Sequence, residues 1–193
     1  MISEEEHTLE YYIVKKPKAL NVEVCRDMQK ELTAEGVGWE KHHFQIPGTY
    51  DNYSRQDGEE LDVYSGVTSH NKYIMETIWE ALRQYVHTKG GKVWGSWSGY
   101  TKVRYNKYEV GASMSEHCDH IHSIFPGEPR GVPILTVLGC ISEGEGGGNL
   151  VLAGKKIRLE AGDLLLFPSG FMYPHYVTPV SAGTRITFVS WVY

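Results

Sequence analysis

The chain has no apolar run near the roughly 20 residues that a membrane-spanning helix needs. Its opening, MISEEEHTLE, is acidic and polar and does not read as a secretory leader. It has little cysteine: Cys25, Cys118 and Cys140 are odd in number and form no CxxC pair. That fits a reducing, cytoplasmic setting better than a disulfide framework. Positive charge is not in excess either. A net charge of −5 argues against a general nucleic-acid or anionic-membrane binder. No internal repeat, low-complexity tract or linker divides the sequence. No Lys-Ser/Thr follows the glycine run at 144–148, so it is a tight turn and not a phosphate loop.

What is present is the composition of a globular chain. Its 193 residues are 41% hydrophobic and 22% charged, enough for one domain with a sizeable core. Thirteen tyrosines and five tryptophans suit a β-rich core or an aromatic-lined groove. Tyr11 to Val14 reads as a short strand closed by Pro17. Val24, Cys25, Met28 and Leu32 recur at helical spacing and predict a helix over about 21–35, capped by Asn21 and ended near Gly36. A second stripe, Ile74, Met75, Ile78, Leu82, Tyr85 and Val86, predicts a helix from a Ser69 cap to Gly90-Gly91. Residues 36–66 have no clear period and read as loop with some short strand, either a binding loop or a plain insertion.

Beyond Gly91 the pattern becomes β. Short strands are expected at Thr101–Tyr105, Pro133–Ile141, Asn149–Leu152, Lys156–Leu159, Asp163–Phe167, Tyr173–Val177 and Thr184–Val192, separated by Gly or Pro turns. Such closely spaced strands predict an antiparallel sandwich or jelly roll. The expected fold is α+β, mainly β, with the N-terminal helices packed on one sheet. One domain would span 1–193, with helical support over about 1–95 and a β core over about 96–193.

The chemistry concentrates at Glu116-His117-Cys118-Asp119-His120. In an extended segment His117 and Asp119 point to one side, so both can reach one ion. His175 follows a turn at Pro168-Ser169-Gly170, and a sandwich can bring it to the same place. Two histidines and a carboxylate can occupy one face of Fe(II) and leave the other open. Alternation along the last strand puts Arg185, Thr187, Val189 and Trp191 on one face. An inward guanidinium there needs an anion, either an internal carboxylate or that of a ligand.

Taken together, these residues resemble the prolyl-4-hydroxylase-like branch of the Fe(II)/2-oxoglutarate-dependent dioxygenases. Tyr108-Glu-Val-Gly111-Ala-Ser-Met-Ser-Glu-His117-Cys-Asp119 matches that family's Y-x-x-G-x-x-x-x-x-H-x-D. Gly147-Gly148-Asn149-Leu150 is similar to its G-G-x-L, and Gly162 to Pro168 to its G-x-x-x-x-F-P. The resemblance covers about residues 100–193. It implies a double-stranded β-helix in which His117, Asp119 and His175 bind iron and Arg185 grips the distal carboxylate of 2-oxoglutarate. Tyr108 would line the cosubstrate pocket, and Thr187 would add a hydrogen bond. It also implies O2 as a cosubstrate, succinate and CO2 as products, ascorbate (vitamin C) as a sustaining reductant and a protein or peptide substrate, with proline first. Two positions depart from the pattern: Met114 replaces a common aromatic residue, and Cys140 stands near where some members place a cosubstrate-binding Tyr. Substrate contacts are expected from about 40–66 and from Trp94 to Tyr100.

Other readings use neighbouring residues. Cys118, His120 and His122 suggest a zinc cluster, but no matching ligand pair accompanies them. A cupin-like module would use His120, His122, Glu128 and His175. A small-molecule oxygenase and a non-catalytic barrel complete the alternatives. His42, His43, His70 and His87 read as surface or loop residues.

Overall fold

Asn21 caps the first helix, its side-chain oxygen accepting from the Glu23 amide at 2.8 Å. The fold comes from a computed structural model that describes residues 8–45, 52–53, 59–90, 97–119 and 132–193. Before that cap, Glu10–Tyr12 makes a 3-10 turn and β1 covers Val14–Lys16, so the tyrosines expected in a strand turn just ahead of it. Helix α1 is Val22–Leu32 and buries Cys25, Met28 and Leu32. Four short strands follow: β2 Glu40–Lys41, β3 Phe44–Gln45, β4 Asn52–Tyr53 and β5 Asp62–Tyr64. Helix α2 is Asn71–Tyr85, continued by a π-helical turn at Val86–Gly90.

Ser69 is not the cap of α2. Its amide and hydroxyl both donate to the Glu31 carboxylate, at 2.8–3.1 Å, and so fasten the start of α2 to the end of α1. The next strands are β6 Arg104–Tyr108, β7 Met114–His117, β8 Leu135–Glu143, β9 Gly146–Gly147 and β10 Leu150–Leu152. Then come β11 Lys155–Ile157, β12 Leu164–Pro168, β13 His175–Val177, β14 Val180–Ala182 and β15 Arg185–Val192.

The major sheet has the order β1-β12-β8-β15-β6-β5-β2, and the minor sheet β11-β10-β13-β7. All pairings within both are antiparallel. Ile186, Phe188 and Val192 of β15 face one way and join Met28, Ile78 and Leu82 of the helices in one apolar cluster. Leu165 and Phe167 of β12 face the other way, toward Leu150, Leu152 and Val177 of the minor sheet. The helices therefore cover one face of the major sheet, and the other face lies against the minor sheet. This is the mainly β, double-stranded β-helix arrangement expected from the sequence. β8 and β15 are buried on both faces because they are central.

Gly139 on β8 is required by close approach. A Cβ there would sit 2.1 Å from the Phe188 ring, so the glycine makes room for that ring in the helix-side layer. No helix among the described residues is long and apolar enough to cross a membrane.

Candidate metal centre and its cavity

The antiparallel pairing of β13 with β7 sets His175 directly opposite His117. Their rings lie 4.3 Å apart between centroids. Asp119 follows two residues beyond the end of β7, and its carboxylate reaches both rings. Oδ1 is 3.5 Å from His117 Nε2, and Oδ2 is 3.9 Å from His175 Nε2. One donor atom from each of the three residues lies within 4.8 Å of the others.

The backbone sets the tautomers. His117 Nδ1 is 2.8 Å from the Ser115 carbonyl, and His175 Nδ1 is 3.2 Å from the Tyr173 carbonyl. A carbonyl only accepts, so both Nδ1 atoms carry the proton and both Nε2 lone pairs point at the carboxylate. Thr136 on β8 donates from Oγ1 to Asp119 Oδ2 at 2.6 Å. Its single proton is then committed, so the Ser169 hydroxyl, 2.8 Å away, donates to Thr136.

The charges reflect this crowding. Burial alone would raise the Asp119 carboxyl. His117, His175 and the Thr136 hydroxyl together hold it well below its ordinary value. Burial opposes protonation of His117, but the Asp119 contact and the Ser115 carbonyl outweigh it and raise that imidazole. His175 goes down, because its burial wins over Asp119. Three donors aimed at one point and sharing too little positive charge form a set that a divalent cation would satisfy.

The three residues open on a cavity between the sheets. The major sheet contributes Arg104, Asn106 and Tyr108 from β6 and Arg185, Val189 and Trp191 from β15. This is the face that alternation assigned to Arg185. Arg185 pairs across the ladder with Tyr108, and its guanidinium carbon lies 5.0 Å from the Tyr108 ring centre. Its Nη1 is buried without a hydrogen-bond partner, and so is the Thr187 hydroxyl, two residues further along β15. Burial raises the Tyr108 phenol against the opposing charges of Arg185 and Arg104, so it stays protonated. A buried cation and hydroxyl left open side by side fit a ligand carboxylate.

Gly148 accounts for the position of Arg185. It has φ +58°, and a Cβ there would sit 2.8 Å from Arg185 Cδ. Met114 lines the cavity, whereas Cys140 is fully buried in the core with its Sγ 3.9 Å from the Leu159 carbonyl. His42 is not a surface residue. It is 8% exposed and lies 3.6 Å from the Glu60 carboxylate. His120, His122, Glu128 and Trp94 lie outside the described residues. Thr136, Ser169 and Arg104 escaped the sequence reading. The only hint was a lone Thr in the apolar run Pro133 to Ile141.

Fold and site together define a double-stranded β-helix protein with a two-histidine, one-carboxylate centre, the donor set of non-haem Fe(II) oxygenases. Residues 103–193 match the 2OG-Fe(II) oxygenase superfamily. Among curated relatives, a PKHD-type hydroxylase of Idiomarina loihiensis is 33% identical over 95 residues, covering 47% of this chain and 41% of its own. The chain spans less than half the length of the curated relatives it matches. Among solved structures, the viral collagen prolyl hydroxylase of Paramecium Bursaria Chlorella virus-1 aligns with a TM-score of 0.64 at 17% identity, covering 94% of each chain. A Trichoplax adhaerens prolyl hydroxylase, solved with a hypoxia inducible factor peptide fragment, aligns at 0.68 and 19% identity, over 94% of this chain and 83% of that one. Residues 103–193 thus resemble the 2OG-Fe(II) oxygenase superfamily in sequence, and the chain shares its fold with solved prolyl hydroxylases. The superfamily so matched is one whose name implies Fe(II), 2-oxoglutarate and O2.

Proposed function

We propose that the chain, as one domain over 1–193, is an Fe(II)- and 2-oxoglutarate-dependent dioxygenase that hydroxylates a protein or peptide side chain, proline first. The observation that carries this reading is that the donor triad and Arg185, with its open Nη1, line one cavity. His117 and His175 would bind iron through Nε2, and Asp119 through its carboxylate. Bound there with 2-oxoglutarate and O2, the iron supplies an oxidative decarboxylation, yielding succinate and CO2, that is coupled to hydroxylation of a C–H bond.

The protein's part is placement. Arg185 would receive the distal carboxylate of 2-oxoglutarate through its guanidinium, with the Thr187 hydroxyl donating a second bond. The protonated Tyr108 phenol would border the same carboxylate. Phe167, Leu150 and Val189 would keep water from the chain of the cosubstrate. Thr136 and the two backbone carbonyls hold the ligands in the orientation they need. The peptide-bound Trichoplax relative supports a peptide substrate. The notion of a cytoplasmic enzyme sustained by ascorbate belongs to this proposal as well.

The test is succinate release with Fe(II), 2-oxoglutarate and a panel of proline-containing peptides, run beside Mn(II) binding. Peptide-stimulated release is expected, and His175→Ala should abolish both release and stoichiometric Mn(II) binding. Absence of both from the unmodified chain would falsify the reading.

A further inference from the structure

Arg104 is a second cation in the same cavity, and nothing described so far uses its charge. It sits on β6 opposite Val189 of β15, four residues along the ladder from the Arg185–Tyr108 pair. Its Nε donates to Asn106 Oδ1 at 3.2 Å, and its guanidinium carbon lies 4.9 Å from the Trp191 ring centre. Both contacts fix the plane of the fork, and neither carries negative charge. Trp191 pairs across the ladder with Thr136, the residue that holds Asp119. Arg104 therefore lies at the metal end of the cavity and Arg185 at the other.

The charge balance of the loaded site isolates Arg104. Asp119 is the only acid lining the cavity among the described residues. This inference rests on the dioxygenase reading above, in which Fe(II), Asp119, Arg185 and the two carboxylates of 2-oxoglutarate sum to zero. Asp119 currently opposes the effect of burial on Arg104. Once it ligates a cation, its charge is taken up. The part-buried Arg104 guanidinium is then left as a positive charge with no acid beside it, an arrangement that a ligand's anion would satisfy. A planar fork lying over an indole, with only its Nε hydrogen-bonded to the protein, can receive a carboxylate through parallel hydrogen bonds.

We propose that Arg104 is a substrate-specificity residue that binds a carboxylate on the substrate beside the carbon to be hydroxylated. The preferred substrate is then a carboxylate-bearing peptide rather than a neutral one. The carboxylate comes either from a free C-terminus at the reacting residue or from an acidic side chain next to it.

Three proline peptides of equal length test this. One ends in proline with a free carboxylate. One is amidated and carries Glu beside the proline. One is amidated and neutral. Their affinities for the Mn(II)- and 2-oxoglutarate-loaded protein are measured by calorimetry, and succinate release gives KM and kcat. At least one acidic peptide should bind tenfold or more tighter than the neutral one, with the difference in KM and not in kcat. The other acidic arm identifies the source. Arg104→Met should erase the preference while 2-oxoglutarate affinity stays within about twofold, and Arg104→Lys should retain part of it.

Equal binding of the three peptides, or of none, overturns the assignment without needing any variant. A preference that survives Arg104→Met, or a parallel loss of 2-oxoglutarate affinity, overturns it as well. The dioxygenase reading fails separately, if the unmodified protein takes up neither Mn(II) nor 2-oxoglutarate.

Discussion

Arg185 and Gly148 act as one unit, although only the arginine carries charge. The guanidinium lies buried with Nη1 open, and the missing Cβ of Gly148 leaves space for its Cδ. Arg185→Ala should raise the dissociation constant for 2-oxoglutarate by about 10- to 150-fold, the range for losing charge-assisted hydrogen bonds of ~1.5–3 kcal/mol. Gly148→Ala should do part of the same damage without touching any polar group. Its new methyl displaces the arginine stem, and φ +58° strains the backbone. Titration of the Mn(II)-loaded protein with 2-oxoglutarate checks both, and an unchanged affinity in Arg185→Ala would remove that residue from its role. Thr136 acts one step further out. Its hydroxyl is the 2.6 Å donor that aims Asp119, with Ser169 behind it. Thr136→Val keeps the shape and deletes the proton, so metal affinity should fall about 10- to 100-fold. Thr136→Ser should restore most of it, which a purely packing role would not produce.

At the scale of elements, the sequence was most legible where one period ran long. The stripe of α2 placed its buried face, because turning it would expose Ile78, and the alternation of β15 separated Arg185, on the cavity side, from Phe188, on the helix side. The motif Tyr108 to Asp119 chose His117 over its neighbours before any geometry was known. Legibility stopped where a partner far along the chain decides the local state. Ser69 looks like a cap but bonds to Glu31 of another helix. Val180–Ala182 is a strand only because it pairs with the glycines of β9. Arg104 belongs to a strand predicted three residues too early, at Thr101–Tyr105 in place of Arg104–Tyr108, and no motif marked it. Asp163 is a further case, a buried carboxylate that no motif marks. It accepts from Lys15 Nζ at 2.8 Å and from the backbone amides of Lys18 and Glu160 at 3.0 Å, which pins β1 beside β12. Burial would raise its pKa, but these donors win and hold it below the ordinary carboxyl value. A carboxyl depressed in the folded state adds stability that is present above its unfolded value and lost as pH falls through the folded one. Below about pH 4 the folded chain should therefore lose stability more steeply than Asp163→Asn does. Asp163→Asn should be destabilised by ~1.5–3 kcal/mol near neutrality. Urea unfolding at pH 7 and at pH 3 measures both, and an unchanged gap between the two proteins would contradict the sign.

For the molecule as a whole, the centre joins parts that otherwise meet only through packing. His117 and His175 come from the minor sheet, while Asp119 is tied to the major sheet through Thr136. Arg185 and Tyr108 stand on the major sheet across the cavity. A cation and a dicarboxylate bound there would bridge the two sheets, and an unfolded chain offers no comparable site. Binding to the native state alone stabilises by mass action, ~2.7 kcal/mol at a free ligand concentration of about 100 times the dissociation constant. For a chain of this size about 1 kcal/mol moves the midpoint by roughly 2–4 °C. Mn(II) with 2-oxoglutarate should therefore raise Tm by roughly 5–10 °C, and a chelator should reverse the gain. Arg185→Ala should keep the part due to the metal and lose the part due to 2-oxoglutarate. His175→Ala should lose both, since cosubstrate held without its metal keeps only the Arg185 end. A midpoint indifferent to either ligand in the unmodified chain would mean that the cavity does not bind them between the sheets, whatever the geometry of its side chains.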